Sequence, residues 1–229
     1  SQTGADNDNW LNVAYDDANG QVVATVSGKA PAAFMSLAGF EKIDFRVSST
    51  VKYEALDLNN SLSIAFVLDT SGSMFYYDET GVKREDAMEA AVIDLMGDLD
   101  TLVAGQEEDG RILRTGMVPY YDRVWNSHVV DMNWGTIPVS DISRLYEGGG
   151  TNSSGAMEEA ELWMQSENAV HQSETGRDNP KKYVVFMTDG VNNSSSYDTD
   201  TITACNAMKA AGVEVYTIGY ALTQQTYGS

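Results

Sequence analysis

Five side chains in three short stretches have the types and spacing for cation chemistry. Asp69-Thr70-Ser71-Gly72-Ser73 sets a carboxylate and two hydroxyls at i, i+2 and i+4, which a loop leaving a strand can point into one small volume. Gly148-Gly149-Gly150-Thr151-Asn152 adds a hydroxyl behind glycines that permit close backbone approach. Thr188-Asp189-Gly190 supplies a second carboxylate. Such all-oxygen sets suit a hard divalent cation, Mg2+ first, with Mn2+ or Ca2+ as alternatives; Mg2+ holds its ligands at about 2.0 to 2.1 Å. Alone, each stretch reads as an ordinary capping loop or turn. Together, Asp69, Ser71, Ser73, Thr151 and Asp189 are the candidate metal ligands.

These loops need a scaffold that brings them to one place. From Leu62 onward the chain alternates apolar strand-sized runs with amphipathic helical stretches, the pattern of a parallel sheet covered on both faces. Strands are expected at Leu62 to Leu68, Arg111 to Val118, Arg123 to Val130, Tyr183 to Met187 and Val213 to Ile218. Helices are expected at Arg84 to Leu102, Ser153 to Gln165 and Thr201 to Ala211, with Ala169 to Pro180 as a polar loop. The fold class is α/β, a Rossmann-like, doubly wound and mostly parallel sheet. In such sheets ligands bind beyond the carboxyl ends of strands where the winding reverses. If the Leu62 and Tyr183 strands are neighbours at that reversal, the five candidates converge.

Residues 1–60 have another texture. Period-two alternation at Val22, Ala24, Val26 and again at Ile43, Phe45, Val47 flanks Pro31 to Gly39, which reads as a short helix. The expected organisation is an N-terminal strand-helix-strand region over 1–60, behind a polar tip from Ser1 to Asn9, and an α/β domain over 61–229.

On these motifs the chain resembles the von Willebrand factor A domain, whose metal-ion-dependent adhesion site combines D-x-S-x-S with a distal Thr and a distal Asp. The resemblance implies that Ser71, Ser73 and Thr151 bind the cation directly, that Asp69 and Asp189 act directly or through water, and that one position stays open for a partner's Asp or Glu carboxylate. A narrower resemblance, to TadG-like proteins of tight-adherence (Flp-type) pilus systems, rests on the Ala30 to Gly39 run, Phe45 to Thr50, Ile64 to Met74, Gly116 to Tyr120, Lys181 to Gly190 and Cys205 to Gly219. It implies a bacterial envelope protein, periplasmic or cell-surface, with pilus or filament subunits among its partners and a membrane anchor upstream of this chain. Measured against that family, the chain ends one strand and one helix early, and Cys205 lacks the second cysteine expected in that stretch. Cys205 is then either a small buried helix residue or a bridge to another chain.

Charge narrows the rest. With 14 Lys plus Arg against 34 Asp plus Glu, the net charge of −20 argues against nucleic acid and anionic membranes as partners. No run is long and apolar enough to span a bilayer. An aspartyl-nucleophile, Mg2+-dependent phosphohydrolase would need a second carboxylate where Ser71 stands, and no G-x-S-x-G or S-x-x-K occurs, so no enzyme activity is expected. His128 reads as a strand residue and His171 as a loop residue. Asp6 and Asp8, Glu107 to Asp109, and Asp198 with Asp200 read as solvated or helix-capping acids. Tyr120, Tyr121, Trp125 and Trp134 read as core, or as part of a partner surface. A purely structural filament subunit, with the metal only stiffening the loops, is the competing expectation.

Overall fold

The computed structural model describes residues 10–16, 21–31 and 42–52 as backbone strands, and residues 61–78, 81–104, 111–146 and 148–219 with their side chains. The chain divides into two compact units, Ser1–Asp57 and Leu58–Ser229.

The first unit holds an antiparallel sheet in the order β1-β2-β3, with β1 Trp10–Asp16, β2 Gln21–Pro31 and β3 Lys42–Lys52. Strand β1, which pairs Trp10 with Ser27 and Asp16 with Gln21, was not expected. Pro31 closes β2 and does not open a helix; the rest of the expected helix lies outside the described residues. So do Asp6, Asp8 and Glu107 to Asp109.

The second unit is an α/β domain. Its sheet has the order β6-β5-β4-β7-β8, where β4 is Leu62–Asp69, β5 Leu113–Tyr120, β6 Val130–Trp134, β7 Lys181–Thr188 and β8 Glu214–Gly219. All neighbours are parallel except β5 and β6. The helices are α1 Arg84–Val103, the short α2 Val139–Ile142, α3 Ser154–Thr175 and α4 Ser195–Ala210.

Central strand β4 is buried along its whole length because both faces are covered. Ile64, Phe66 and Leu68 enter one core with Met88, Val92, Met96 and Leu99 of α1. Ala65 and Val67 enter the other with Ala156, Ala160 and Met164 of α3 and Ala204 and Met208 of α4. The period of two in β4 therefore sorts large side chains toward α1 and small ones toward α3. Since β4 pairs with both β5 and β7, the winding reverses between β4 and β7, as the site requires.

Three sequence expectations need correction. Arg123 to Val130 is not a strand: Val124 makes a single bridge to Tyr120, a 3-10 turn spans Asn126–His128, and the edge strand begins only at Val130. The buried ring of Trp125 pins this corner beneath the loops, which puts His128 in the turn. Helix α3 runs on through the expected polar loop to Thr175, ended by left-handed Gly176. Its inward stripe continues from Met157, Ala160 and Met164 into Glu167 and His171, so polar residues occupy the buried positions and hide the helical period. Helix α4 starts at Ser195, earlier than expected, where the Ser194 hydroxyl caps it by accepting from the Ser196 amide.

Candidate functional site

The parallel register of β4 and β7 pairs Leu68 with Met187, which sets Asp69 level with Thr188 at the carboxyl edge of the sheet. Thr188 Oγ1 donates to Asp69 Oδ2 at 2.7 Å, and the Ser71 amide donates to Asp69 Oδ1 at 2.8 Å. The chain then turns through a short 3-10 segment, Gly72–Phe75, that returns Ser73 toward the same point. The Ser71 and Ser73 hydroxyls lie 3.0 Å apart, and Ser73 Oγ donates to Asp189 Oδ1 at 2.7 Å. Four of the five candidates therefore form one chain of contacts: Asp69, Ser71, Ser73 and Asp189.

Thr151 reaches the same edge through its loop. Gly72 N donates to Gly149 O at 3.1 Å and Gly148 N to Thr70 O at 2.9 Å, so the glycine loop lies directly on the Asp69 loop. On its other side, Asn193 N donates to Thr151 O at 2.9 Å, which ties it to the loop after β7. Glycine is required by fit at Gly149, where φ is +72° and a Cβ would stand 2.6 Å from Tyr121 Cδ2; a Cβ on Gly150 would meet only the amide end of the exposed Asn193 side chain, which can turn aside. Thr151 itself is buried. Asn152 and Ser153 begin α3: Asn152 Oδ1 accepts from the Ser154 amide at 3.2 Å, and Asn192 Oδ1 accepts from the Ser153 amide at 2.8 Å.

The electrostatics of the edge leave Asp69 without a positive partner. Burial raises Asp69 above its ordinary 3.8, hydrogen bonds from Ser71 and Thr188 offset part of the rise, and the Asp189 charge adds to it. Burial, and then the Asp69 charge, push the Tyr120 hydroxyl far up as well. Asp69 and Asp189 thus share a buried volume with hydroxyl oxygens and no bulk water to screen them. That donor set fits a hard divalent cation, whose charge it would balance. Among the described residues no group of three His, Cys, Asp or Glu could hold a metal, so any cation here would rely on hydroxyl as well as carboxylate oxygen.

The structure adds residues that motif reading passed over. Arg84, the first residue of α1, donates from Nη1 to Asp189 Oδ2 at 2.7 Å. Thr188 is the partner of Asp69, a role that only strand register reveals. Of the aromatic residues noted in the sequence, Tyr120 and Trp125 are core, and Trp134 packs on His171 at the other end of the domain. Tyr121 does lie at the loops, lining a cavity of about 210 Å³ with Trp125, Tyr146, Gly148 and Gly149.

At the opposite end of β4, Ser63, Glu167 and His171 meet in a set whose residue types suggest hydrolase chemistry. Ser63 Oγ donates to Glu167 Oε2 at 2.7 Å and lies 2.9 Å from His171 Nε2. The geometry denies a nucleophile: the hydroxyl proton goes to Glu167, the acid does not orient the imidazole from its far nitrogen, and all three side chains are sealed in the core.

Residues 63–228 match the model of the von Willebrand factor type A domain. No curated protein sequence matches the chain. Among solved structures, the chain is similar to von Willebrand factor type A from Catenulispora acidiphila, at 15% identity and TM-score 0.48, over 93% of this chain and 40% of that one. It is also similar to the PilB minor pilin from Streptococcus sanguinis, at 15% identity and TM-score 0.47, over 93% of this chain and 66% of that one. The manganese-loaded TRAP protein of Plasmodium vivax is similar at 19% identity and TM-score 0.39, over 70% of this chain and 57% of that one. The chain thus spans 40% of the length of the first of these structures.

Proposed function

The chain belongs to the von Willebrand factor type A domain family, and from that premise we propose that its sheet edge binds a divalent cation and, through it, an Asp or Glu carboxylate of a protein partner. The observation that carries this reading is the single run of contacts at the winding reversal, Asp69–Ser71–Ser73–Asp189 at 2.7 to 3.0 Å, with the Thr151 loop bonded onto both sides. Ser71, Ser73 and Thr151 would hold Mg2+ or Mn2+ directly, and Asp69 and Asp189 would balance its charge directly or through water. A bound cation of this kind supplies a positive centre that an incoming carboxylate can join.

The chain's own residues set up that encounter. Asp69 is fixed by Thr188 and the Ser71 amide, so the loop is ordered before any partner arrives. Phe75, Tyr76 and Tyr77 follow Ser73 after the buried Met74, and Val191 lies two residues after Asp189; all four are exposed, the last by 81%. Apolar and aromatic side chains flanking a charged centre are the composition of an interaction surface. The wider setting belongs to the same proposal: a TadG-like, pilus-associated adhesion protein of the cell envelope that does no catalysis. No helix among the described residues is long and apolar enough to cross a membrane.

The test is a titration of Mg2+ or Mn2+ followed by melting temperature. The expected result is a saturable rise that Asp69→Ala abolishes; no rise, or an equal rise in the variant, contradicts the reading. EDTA then separates adhesion from a stiffening role. Release of a bound partner supports adhesion, whereas a softer but intact assembly supports a structural subunit.

A further inference from the structure

We propose that Arg84 is a built-in counter-cation that competes with the divalent ion for Asp189 and holds the site at low affinity. This rests on the cation site proposed above. Asp189 has both carboxylate oxygens engaged, Oδ1 by Ser73 at 2.7 Å and Oδ2 by Arg84 at 2.7 Å, and its side chain is wholly buried. The guanidinium therefore occupies the positive place beside the carboxylate that a divalent ion would also seek.

Its position in the fold opposes local electrostatics. Arg84 is the first residue of α1, preceded by Lys83, where the helix N-terminus already concentrates positive charge. Lys83 is paired locally, with Glu85 at 2.8 Å, but Arg84 pairs with Asp189 in the loop after β7. Nor is the guanidinium locked there. It holds Asp189 through one Nη, and its buried Nε meets no acceptor. A fork built for permanence engages both nitrogens of an edge, as paired carboxylate recognition does. A single bond with an orphaned neighbour suits an arm that leaves when a stronger cation arrives.

Calorimetric titration of the purified chain with Mn2+ tests this in wild type, Arg84→Gln, Arg84→Lys and Asp69→Ala. An opposite charge within about 4 to 6 Å moves a carboxylate's proton affinity by one to three powers of ten, so Arg84→Gln is expected to tighten Mn2+ by about tenfold or more. Arg84→Lys keeps the charge and is expected to stay near wild type. Without ion, Arg84→Gln should melt below wild type, because Asp189 is left buried without its cation, while its Mn2+-induced rise should be larger. A residue that merely braced the loop would lower both. Equal or weaker Mn2+ binding in Arg84→Gln, with wild type binding, overturns the role of Arg84 and leaves the cation site standing. Equal tightening in Arg84→Lys overturns it too, since charge is then not the cause. No binding in wild type or in any variant overturns both proposals. If Arg84→Gln does not fold, the Arg84 side-chain NH resonances of wild type decide: release into fast exchange on adding Mg2+ supports displacement, and no change overturns it.

Discussion

At its start β4 places Ser63 against Glu167, His171 and Arg114; at its end it places Asp69 against Thr188, Ser71 and Asp189. Both ends bury carboxylates, yet they are balanced differently. Arg114 Nε donates to Glu167 Oε2 at 2.9 Å while its Nη2 reaches Met132 O and Trp134 covers its face. Burial alone would raise Glu167, but hydrogen bonds from His171 and Ser63 and the Arg114 charge outweigh it and hold the carboxyl below its ordinary value. Asp69 has no cation of its own and is raised. A buried network that neutralises itself is architecture. One that keeps excess negative charge at a loop edge is prepared for a positive ligand.

The largest effect should come from the architectural end. Glu167→Ala leaves Arg114 buried and unpaired, and is expected to lower stability by about 3 to 5 kcal/mol in urea unfolding. If the folded fraction still binds Mn2+ as wild type does, the two ends are independent. At the loop edge, Asp69→Ala should change ion-free stability far less. It should forfeit the ion's stabilisation, which for wild type reaches about 2.7 kcal/mol at a Mn2+ concentration of a hundred times Kd; melting curves with and without Mn2+ measure the difference.

A backbone test sits between these. Gly149→Ala puts a Cβ at a positive φ and against Tyr121, so it should cost about 1 to 3 kcal/mol by thermal unfolding and weaken Mn2+ binding as the Thr151 loop moves away. The smallest effect, and the finest test of the contrast, is the pH slope without metal. Asp69 is raised in the folded state, so its contribution is present below 3.8 and is lost as pH rises through its folded value. Glu167 is lowered, so its contribution is present above 4.5 and is lost as pH falls through its folded value. Relative to wild type, Asp69→Asn should therefore gain stability toward neutral pH, and Glu167→Gln should lose it; unfolding curves across pH 3 to 7 read both signs.

The loop edge was far more legible in sequence than the buried network. Asp69, Ser71 and Ser73 announce themselves because one loop fixes their spacing, and Asp189 because it follows an apolar strand. Thr188 and Arg84 did not, since one depends on the register of β4 with β7 and the other on where the first turn of α1 lies. The strand-helix alternation of the second unit was readable because buried parallel strands are apolar throughout. Failures came where polar residues fill inward positions, as with Glu167 and His171 in α3, or where a buried aromatic holds an irregular corner, as with Trp125. Strand β1 went unseen because Trp10 to Asp16 follows a polar tip and mixes Asn12 and Asp16 into its alternation.

The central claim is that Asp69, Ser71, Ser73, Thr151 and Asp189 hold a divalent cation, and its most direct test is crystallographic. Crystals grown with Mn2+ and measured at the manganese absorption edge should show one strong anomalous peak between the three loops, within ligand distance of the Ser71, Ser73 and Thr151 hydroxyls. A map with no peak there, or with its only peak among the surface acids of this highly acidic chain, would contradict it.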